Sequence, residues 1–332
     1  MRNSTQANGG TGYDIAVVGA GSAGFSAAIT AADQGAQVAL IGDGTIGGTC
    51  VNVGCVPSKA LIRAGEAIHH ANTAARFAGV VAQGRLTDWP ALRRQKDALV
   101  ADLRQAKYID LLPAYNGVAY IEGKARLANG GLEIGDDHLS AEKIIIATGG
   151  HEFVPAISGI DKVPFLNSTT AFEMDTLPAS MIIIGGGYIG CELAQMFARL
   201  GVRITIVLRS RLLPEGEPEI STALSGYFAD EGIEVRHIDS YDTVQSTPEG
   251  IALTVVDAGT RQTLKAERLL LAAGRRANSA GLALEQAGVA VSDHGGIVVD
   301  DRMRTSQEGV YAAGDVTDGD QFVYMAAYGA KI

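Results

Sequence analysis

Tyr13-Asp14-Ile15-Ala16-Val17-Val18-Gly19-Ala20-Gly21-Ser22-Ala23-Gly24 decides the fold. A short β-prone run ends in a G-x-G-x-x-G turn, and an Ala-rich helical segment continues to about Gln34. In that context the glycines let the backbone approach a pyrophosphate. The helix start supplies N–H donors and a partial positive charge. Gln37 to Ile41 reads as the second strand, completing the βαβ opening of a dinucleotide fold.

The same plan recurs further on. Met181 to Ile184 leads into Gly185-Gly186-Gly187-Tyr188-Ile189-Gly190, a helix through Leu200 and a strand from Arg203 to Leu208. Each half ends on an apolar strand and a glycine, Ile144 to Ala147 before Thr148-Gly149-Gly150 and Leu269 to Ala272 before Ala273-Gly274. Residues 58–79 and 90–112 read as amphipathic helices, and Val118 to Leu127 with Leu132 to Leu139 as a small β element. The expected fold is α/β, with two Rossmann-like dinucleotide-binding domains of three-layer ββα form. The expected boundaries are 1–150, an inserted domain at 151–274, and a return to the first domain at 275–332 through Val310-Tyr311-Ala312-Ala313-Gly314-Asp315.

Composition bounds the function. Over 332 residues the formal net charge is −10, so the chain is a poor general binder of nucleic acid or anionic membrane. The 42 glycines obey no G-x-y period and cluster at the ends of apolar runs. Three cysteines are too few for a secreted disulfide framework of this length. The polar stretch Met1 to Gly12 lacks the apolar core of a signal peptide, and no apolar run is long enough to span a bilayer, so the cytoplasm is the expected compartment. The histidines show no pair at metal-ligand spacing.

The two glycine loops differ at the end of the strand that comes after each helix. In the first half, Gly42 stands where an acid normally closes the second strand and bonds the adenosine ribose; Asp43 beside it is the candidate substitute. In the second half, Leu208-Arg209-Ser210-Arg211 puts Arg209 and Arg211 where arginine favours the 2′-phosphate of NADPH over NADH.

Gly47-Gly48-Thr49-Cys50-Val51-Asn52-Val53-Gly54-Cys55-Val56-Pro57-Ser58-Lys59 carries the chemistry. A thiolate at a helix start is favoured by the dipole, and Lys59 adds positive charge one turn after Cys55. Two thiols this close can cycle between dithiol and disulfide. Cys191 reads as a small core residue.

With this segment the chain resembles the pyridine nucleotide–disulfide oxidoreductase family over nearly its whole length. The resemblance implies FAD on the first domain, NAD(P)H on the second, for which Arg209 and Arg211 favour NADPH, and hydride flow from nicotinamide through the flavin to the disulfide. It implies that Cys55 lies against the flavin and that Cys50 is the exposed interchange thiol. Lys59 is implied to sit near flavin N5 and pair with Glu192 of Gly187-Tyr188-Ile189-Gly190-Cys191-Glu192, and Tyr188 to gate the nicotinamide. Gly48, Thr49, Ala125, Thr148, Gly149 and Asp315 join Gly19, Gly21, Gly24 and Asp43 around FAD. Gly185, Gly187, Gly190 and Gly274 join Arg209 and Arg211 around NADPH. A helix from about Gln321 is implied to aim its N-terminus at the flavin.

Within the family, Leu103-Arg104-Gln105-Ala106-Lys107-Tyr108, Cys55-Val56-Pro57-Ser58-Lys59 and Gly314-Asp315-Val316-Thr317-Asp318 with Gln321-Phe322-Val323-Tyr324 look like the mercuric reductase branch. That likeness implies Hg(II) as substrate, held by Cys50 and Cys55, since soft thiolates suit a soft cation. The family continues into a dimerisation domain past the point where this sequence ends at Lys331-Ile332, so the expectation is a C-terminally truncated member, homodimeric when full length. Ala273 and Ala277 replace a usual threonine and proline, which look tolerable. Two rival readings stay open: a thiol–disulfide reductase of the same family, and a non-catalytic flavin or metal-thiolate binding fragment.

Overall fold

The computed structural model describes residues 12–332. The reading of the N-terminal stretch as lacking a leader falls, but for Gly12, outside the described residues. In chain order the elements are β1 (Tyr13–Val18), α1 (Ser22–Asp33), β2 (Val38–Gly42), α2 (Gly48–Asn52), α3 (Cys55–Asn72) and α4 (Trp89–Arg104). Then come β3 (Val118–Glu122), β4 (Ala125–Ala128), β5 (Gly131–Ile134), β6 (Asp137–Ile146) and β7 (Gly150–Glu152). The second glycine loop lies between β8 (Ser180–Ile184) and α5 (Tyr188–Arg199), with β9 (Arg203–Leu208), α6 (Pro218–Asp230) and β10 (Glu234–His237) after it. The rest is β11 (Ser240–Thr247), β12 (Gly250–Asp257), β13 (Thr260–Ala266), β14 (Arg268–Leu271), β15 (Arg275–Ala277), β16 (Val310–Ala312) and α7 (Val323–Gly329).

The chain forms two compact units. The first joins the segment through Asn52 to Asp102–His151 and Arg276–Ile332; the second joins Val53–Ala101 to Glu152–Arg275.

In the first unit β3, β2, β1, β6 and β16 form a parallel sheet in that spatial order. Its central strands are apolar on both faces, as a sheet covered on both sides requires. Ala16, Val18, Ala39 and Ile41 pack on one face with Ile144, Ile146 and Ala312. Val17, Val38 and Leu40 pack on the other against Ala23, Ala27 and Ala28 of α1. Two strands differ from the sequence reading. The run 118–127 is not one strand of a small β element: it breaks at Gly123 (φ +159), and β3 before the break is an edge of the parallel sheet. Conversely, β6 is a single strand of 10 residues. Its first half pairs antiparallel with β5, and its second half enters the parallel sheet beside β1.

The second unit is three-layered, as expected. A parallel sheet of order β10-β9-β8-β14 lies in the middle. On one side the antiparallel sheet β11-β12-β13 contributes Val244, Ile251, Leu253 and Val255 against Ile182, Ile184, Val207 and Leu269. On the other, Leu193, Ala194 and Phe197 of α5 and Leu61 of α3 cover Met181, Ile183 and Ile206.

Residues 53–101 fall within the expected first domain, yet they cluster with the second unit. The cause is side-chain packing. α3 crosses α5 so tightly that a Cβ on Gly65 would stand 3.3 Å from Arg199 Cβ. Trp89 Nε1 donates to Met174 O at 2.7 Å, and the buried Lys96 pairs with Glu173 at 3.0 Å. The helix read over 90–112 also changes type, from α4 to a π-helical turn at Gln105–Ile109. No helix of the described residues is long and apolar enough to cross a membrane.

Phe197 is fully buried between α5 and the second unit's sheet. Phe197→Ala should cost about 3–5 kcal/mol by removing buried surface and leaving a cavity. The shift of the urea-unfolding midpoint measures it; a loss below about 1 kcal/mol would mean that the packing is not as described.

Candidate functional site

The two glycine loops are built alike. Gly19 has φ +120 and Gly185 φ +114, conformations open to glycine and strained for other residues. A Cβ on Gly19 would lie 2.1 Å from Ala147 O, and one on Gly185 2.2 Å from Ala272 O. The last glycine of each motif lets the helix close onto the strand end: a Cβ on Gly24 would be 1.7 Å from Gly19 O, and on Gly190 2.2 Å from Gly185 O. The middle glycines, Gly21 and Gly187, are the N-caps of α1 and α5, with no side-chain capping bond. First-turn amides that no side chain caps are the donors a phosphate needs. Gly187 has open space where a Cβ would be. Both loops therefore fit a dinucleotide.

The thiol segment starts at the first loop. Gly48 opens α2, and a Cβ on it would stand 2.5 Å from Gly21 Cα. Gly47 N donates to Ala20 O at 2.9 Å. Asn52 pins the other end of α2, its Nδ2 donating to Ile46 O and Gly48 O at 2.9 Å each, while Arg104 Nη1 donates to its Oδ1 at 3.1 Å. Thr49 is exposed and Cys50 half-buried. Tyr108, on the π-helical turn, packs edge-on to Phe25 with centroids 4.7 Å apart. Burial raises its pKa, a hydrogen bond with Ser22 acts against this, and the neighbouring Cys50 raises it further.

Cys55 is the first residue of α3, after Gly54, which makes no side-chain capping bond. It is exposed, whereas Cys50 is half-buried. The two thiols thus differ in exposure. The physical reason is local: Cys55 projects from the first turn of a helix, while α2 is held against the glycine loop.

In the second unit Lys59 Nζ donates to Glu192 Oε2 at 2.6 Å, the pairing that the resemblance implies. The side chains are 54% and 39% exposed, so the bridge adds at most about 1 kcal/mol to stability. Tyr188 lies one turn before Glu192 on α5 and is exposed. Cys191 is buried, its thiol donating to Gly186 O at 3.3 Å, and burial pushes its pKa up to about 11. Arg209 is exposed at the end of β9, its guanidinium 5.9 Å from the centroid of the Tyr241 ring. Arg211 instead commits Nη2 to the carbonyls of Pro214 (2.9 Å) and Gly216 (2.6 Å), bracing the turn. Gly274 has φ +117 and open space at its Cβ position.

In the first unit Asp315 lies beside Gly150, the residue that follows Thr148 and Gly149. Gly149 has φ +73, and a Cβ on the next residue, Gly150, would lie 3.5 Å from Asp315 Cβ. Gly314 is wedged between α1 and α7, its Cβ position 3.2 Å from both Ala23 Cβ and Ala326 Cβ. The implied C-terminal helix starts at Val323 rather than Gln321 and is only 7 residues long. Ala125 is buried at the start of β4, and Asp43 is exposed. Sequence reasoning missed Asn278. Its Nδ2 donates to Thr148 O at 2.9 Å, while Thr148 Oγ1 donates to its backbone carbonyl at 2.8 Å. It missed the part played by Asn52 as well, although that residue lies within the thiol motif. Asn278 has no sequence signal, because only the folded chain brings it to Thr148, whereas Asn52 bonds Gly48 O and Ile46 O within its own segment.

The placement of the thiols is testable. The reduced protein should titrate two cysteines rapidly with an aromatic disulfide reagent at neutral pH, and the third, Cys191, only after unfolding in urea. Three fast thiols in the native protein would overturn the burial of Cys191.

The family model for pyridine nucleotide-disulphide oxidoreductase matches residues 13–331. A mercuric reductase of Streptomyces lividans is 46% identical over 323 residues, covering 96% of this chain and 68% of its own length. A mercuric reductase of Lysinibacillus sphaericus is 43% identical over 318 residues, covering 95% of this chain and 58% of its own length. Among solved structures, the Cu(II) complex of the HOCl-induced flavoprotein disulfide reductase RclA from Escherichia coli aligns with a TM-score of 0.83 at 30% identity, over 97% of this chain and 70% of that one. Paired dinucleotide loops, a thiol segment rooted at the first of them and this breadth of similarity converge: the chain belongs to the pyridine nucleotide–disulphide oxidoreductase family.

Proposed function

We propose that this chain carries the catalytic module of an NADPH-dependent flavoprotein that reduces Hg(II) to Hg(0). The observation that carries the reading is the contact of Gly48 with Gly21, which roots the helix bearing Cys50 on a loop built for a dinucleotide pyrophosphate. Identity of 46% to a mercuric reductase, against 30% to a flavoprotein disulfide reductase, favours the metal ion over a disulfide as substrate.

In this reading the parts formed by 1–150 and 275–332 hold FAD, and 151–274 holds NADPH. Gly19, Gly21 and Gly24 receive the FAD pyrophosphate, with Gly48, Thr49, Ala125, Thr148, Gly149 and Asp315 lining the rest and Asp43 nearby. Gly185, Gly187, Gly190 and Gly274 receive NADPH. Arg209 takes its 2′-phosphate, and Arg211 holds the turn that presents Arg209. FAD supplies two-electron transfer between nicotinamide and thiols. Tyr188 covers the nicotinamide position. Lys59, oriented by Glu192, keeps positive charge where negative charge develops on reduction.

Cys55, exposed at the start of α3, is open to the cofactor. The amides of that first turn stabilise its thiolate. Cys50 exchanges with an incoming thiol-bound Hg(II), and both sulfurs then bind the ion. The reaction balances as NADPH plus Hg(II) giving NADP⁺, a proton and Hg(0). A cytoplasmic location, where NADPH is regenerated and thiols stay reduced, and assembly as a homodimer complete the proposal.

Two experiments test it. Purified protein given NADPH, Hg(II) and excess small thiol should oxidise NADPH only when Hg(II) is present and release mercury vapour. Cys50→Ser should retain FAD and lose that activity; retained turnover would remove Cys50 from the pair. Arg209→Glu should weaken NADPH on the order of 10–100-fold while leaving NADH nearly unchanged, the scale of a lost charged hydrogen bond. Equal loss for both cofactors would overturn the phosphate assignment.

A further inference from the structure

Gly42 is anomalous for its place. It ends β2, the position from which a dinucleotide fold ordinarily extends an acid to the adenosine ribose. Its φ is not left-handed, so the backbone does not demand glycine there; space does. A Cβ at position 42 would lie 2.6 Å from the Tyr120 hydroxyl, 3.0 Å from Tyr120 Cε2 and 2.9 Å from Ala20 Cβ.

Tyr120 comes from β3, whose parallel register sets it opposite Leu40, two residues before Gly42. Its ring therefore runs along the face of β2 and ends at the strand edge, beside Ala20 of the first glycine loop. A phenylalanine would fill the same volume. The hydroxyl adds a polar atom that makes no hydrogen bond among the described residues, although it is not sealed from outside. Burial, with the charge of Glu122, raises the phenol pKa. It is therefore a neutral O–H at physiological pH, able both to donate and to accept.

We propose that the Tyr120 hydroxyl makes the adenosine-ribose contact of the FAD site, replacing the carboxylate that its own ring excludes from position 42. This rests on the assignment of FAD to the first unit. It also ranks the candidates: Asp43, the nearest carboxylate in sequence, is exposed beyond the strand end and comes second to Tyr120. The exchange substitutes a neutral hydrogen bond for a charge-assisted one, so the contact is weaker than the acid's.

The test is flavin binding by the stripped protein, monitored by flavin fluorescence, with FAD and with an analogue lacking the 2′ and 3′ hydroxyls of its adenosine ribose. Wild-type protein should prefer FAD, and Tyr120→Phe should lose about 3- to 10-fold in FAD affinity with no loss for the analogue. Gly42→Glu alone should bind FAD poorly because the carboxylate meets the ring; adding Tyr120→Ala should restore binding. An unchanged Tyr120→Phe, or an equal loss for both ligands, overturns the assignment. So does erasure of the preference by Asp43→Asn instead. Failure of the wild-type protein to take up any FAD would overturn the assignment of FAD to the first unit; normal FAD binding with an indifferent Tyr120→Phe would overturn the tyrosine alone.

Discussion

A steric constraint underlies both units: the start of a helix is pressed onto the end of a strand until only hydrogen fits between them. Any side chain on Gly24 or Gly190 would collide with the carbonyl of the first glycine of its own loop. In each unit by itself, this brings the helix start to the carboxyl ends of that unit's own parallel strands, where this class of fold binds its ligands. The first loop then serves as a foundation. Ala20 O accepts from Gly47, and Gly48 lies against Gly21, so α2 with Cys50 inherits its position from the first glycine loop.

Reactivity and stability are supplied by different groups. The cores are aliphatic, and Leu40, Ile41, Ile183, Ile184 and Phe197 are fully buried or nearly so. The groups assigned to chemistry are exposed or half-exposed: Cys50, Cys55, Lys59, Glu192, Tyr188 and Arg209. A surface ion pair such as Lys59–Glu192 contributes orientation rather than folding energy. Cys191 is the counter-example, a thiol drawn into the core and bonded to a loop carbonyl, where desolvation keeps it protonated. Position relative to the helix start separates the cysteines: Cys55 is the first residue of α3, while Cys191 faces the sheet from the first turn of α5.

Local pattern was enough for much of this. The glycine loops, the strands that feed them, the thiol segment and the pairing of Lys59 with Glu192 could all be read or carried over from short motifs, because backbone approach and helix-start chemistry are short-range demands. Departures arose where a strand's partner or a helix's neighbour decided. β3 and the first half of β6 both read as parts of one small β element, yet one joins the parallel sheet and the other a hairpin, a choice set by which edge each meets. α3 reads as a continuation of the first domain, but the face bearing Leu61 and Gly65 matches α5.

The sequence by itself determined the family, the doubly nucleotide-binding architecture and the residue types at the reacting centre, since each is written in residues close together along the chain. Tertiary structure decided how those residues are used. Only packing separates Arg209, exposed over an aromatic ring, from Arg211, tied to two carbonyls. Only packing makes Cys55 more exposed than Cys50 and brings Asn278 to Thr148. The absent acid at Gly42 is visible in the sequence as a gap. That the ring of Tyr120, from a strand far along the chain, occupies the space beside Gly42 follows from sheet register, which no local pattern encodes.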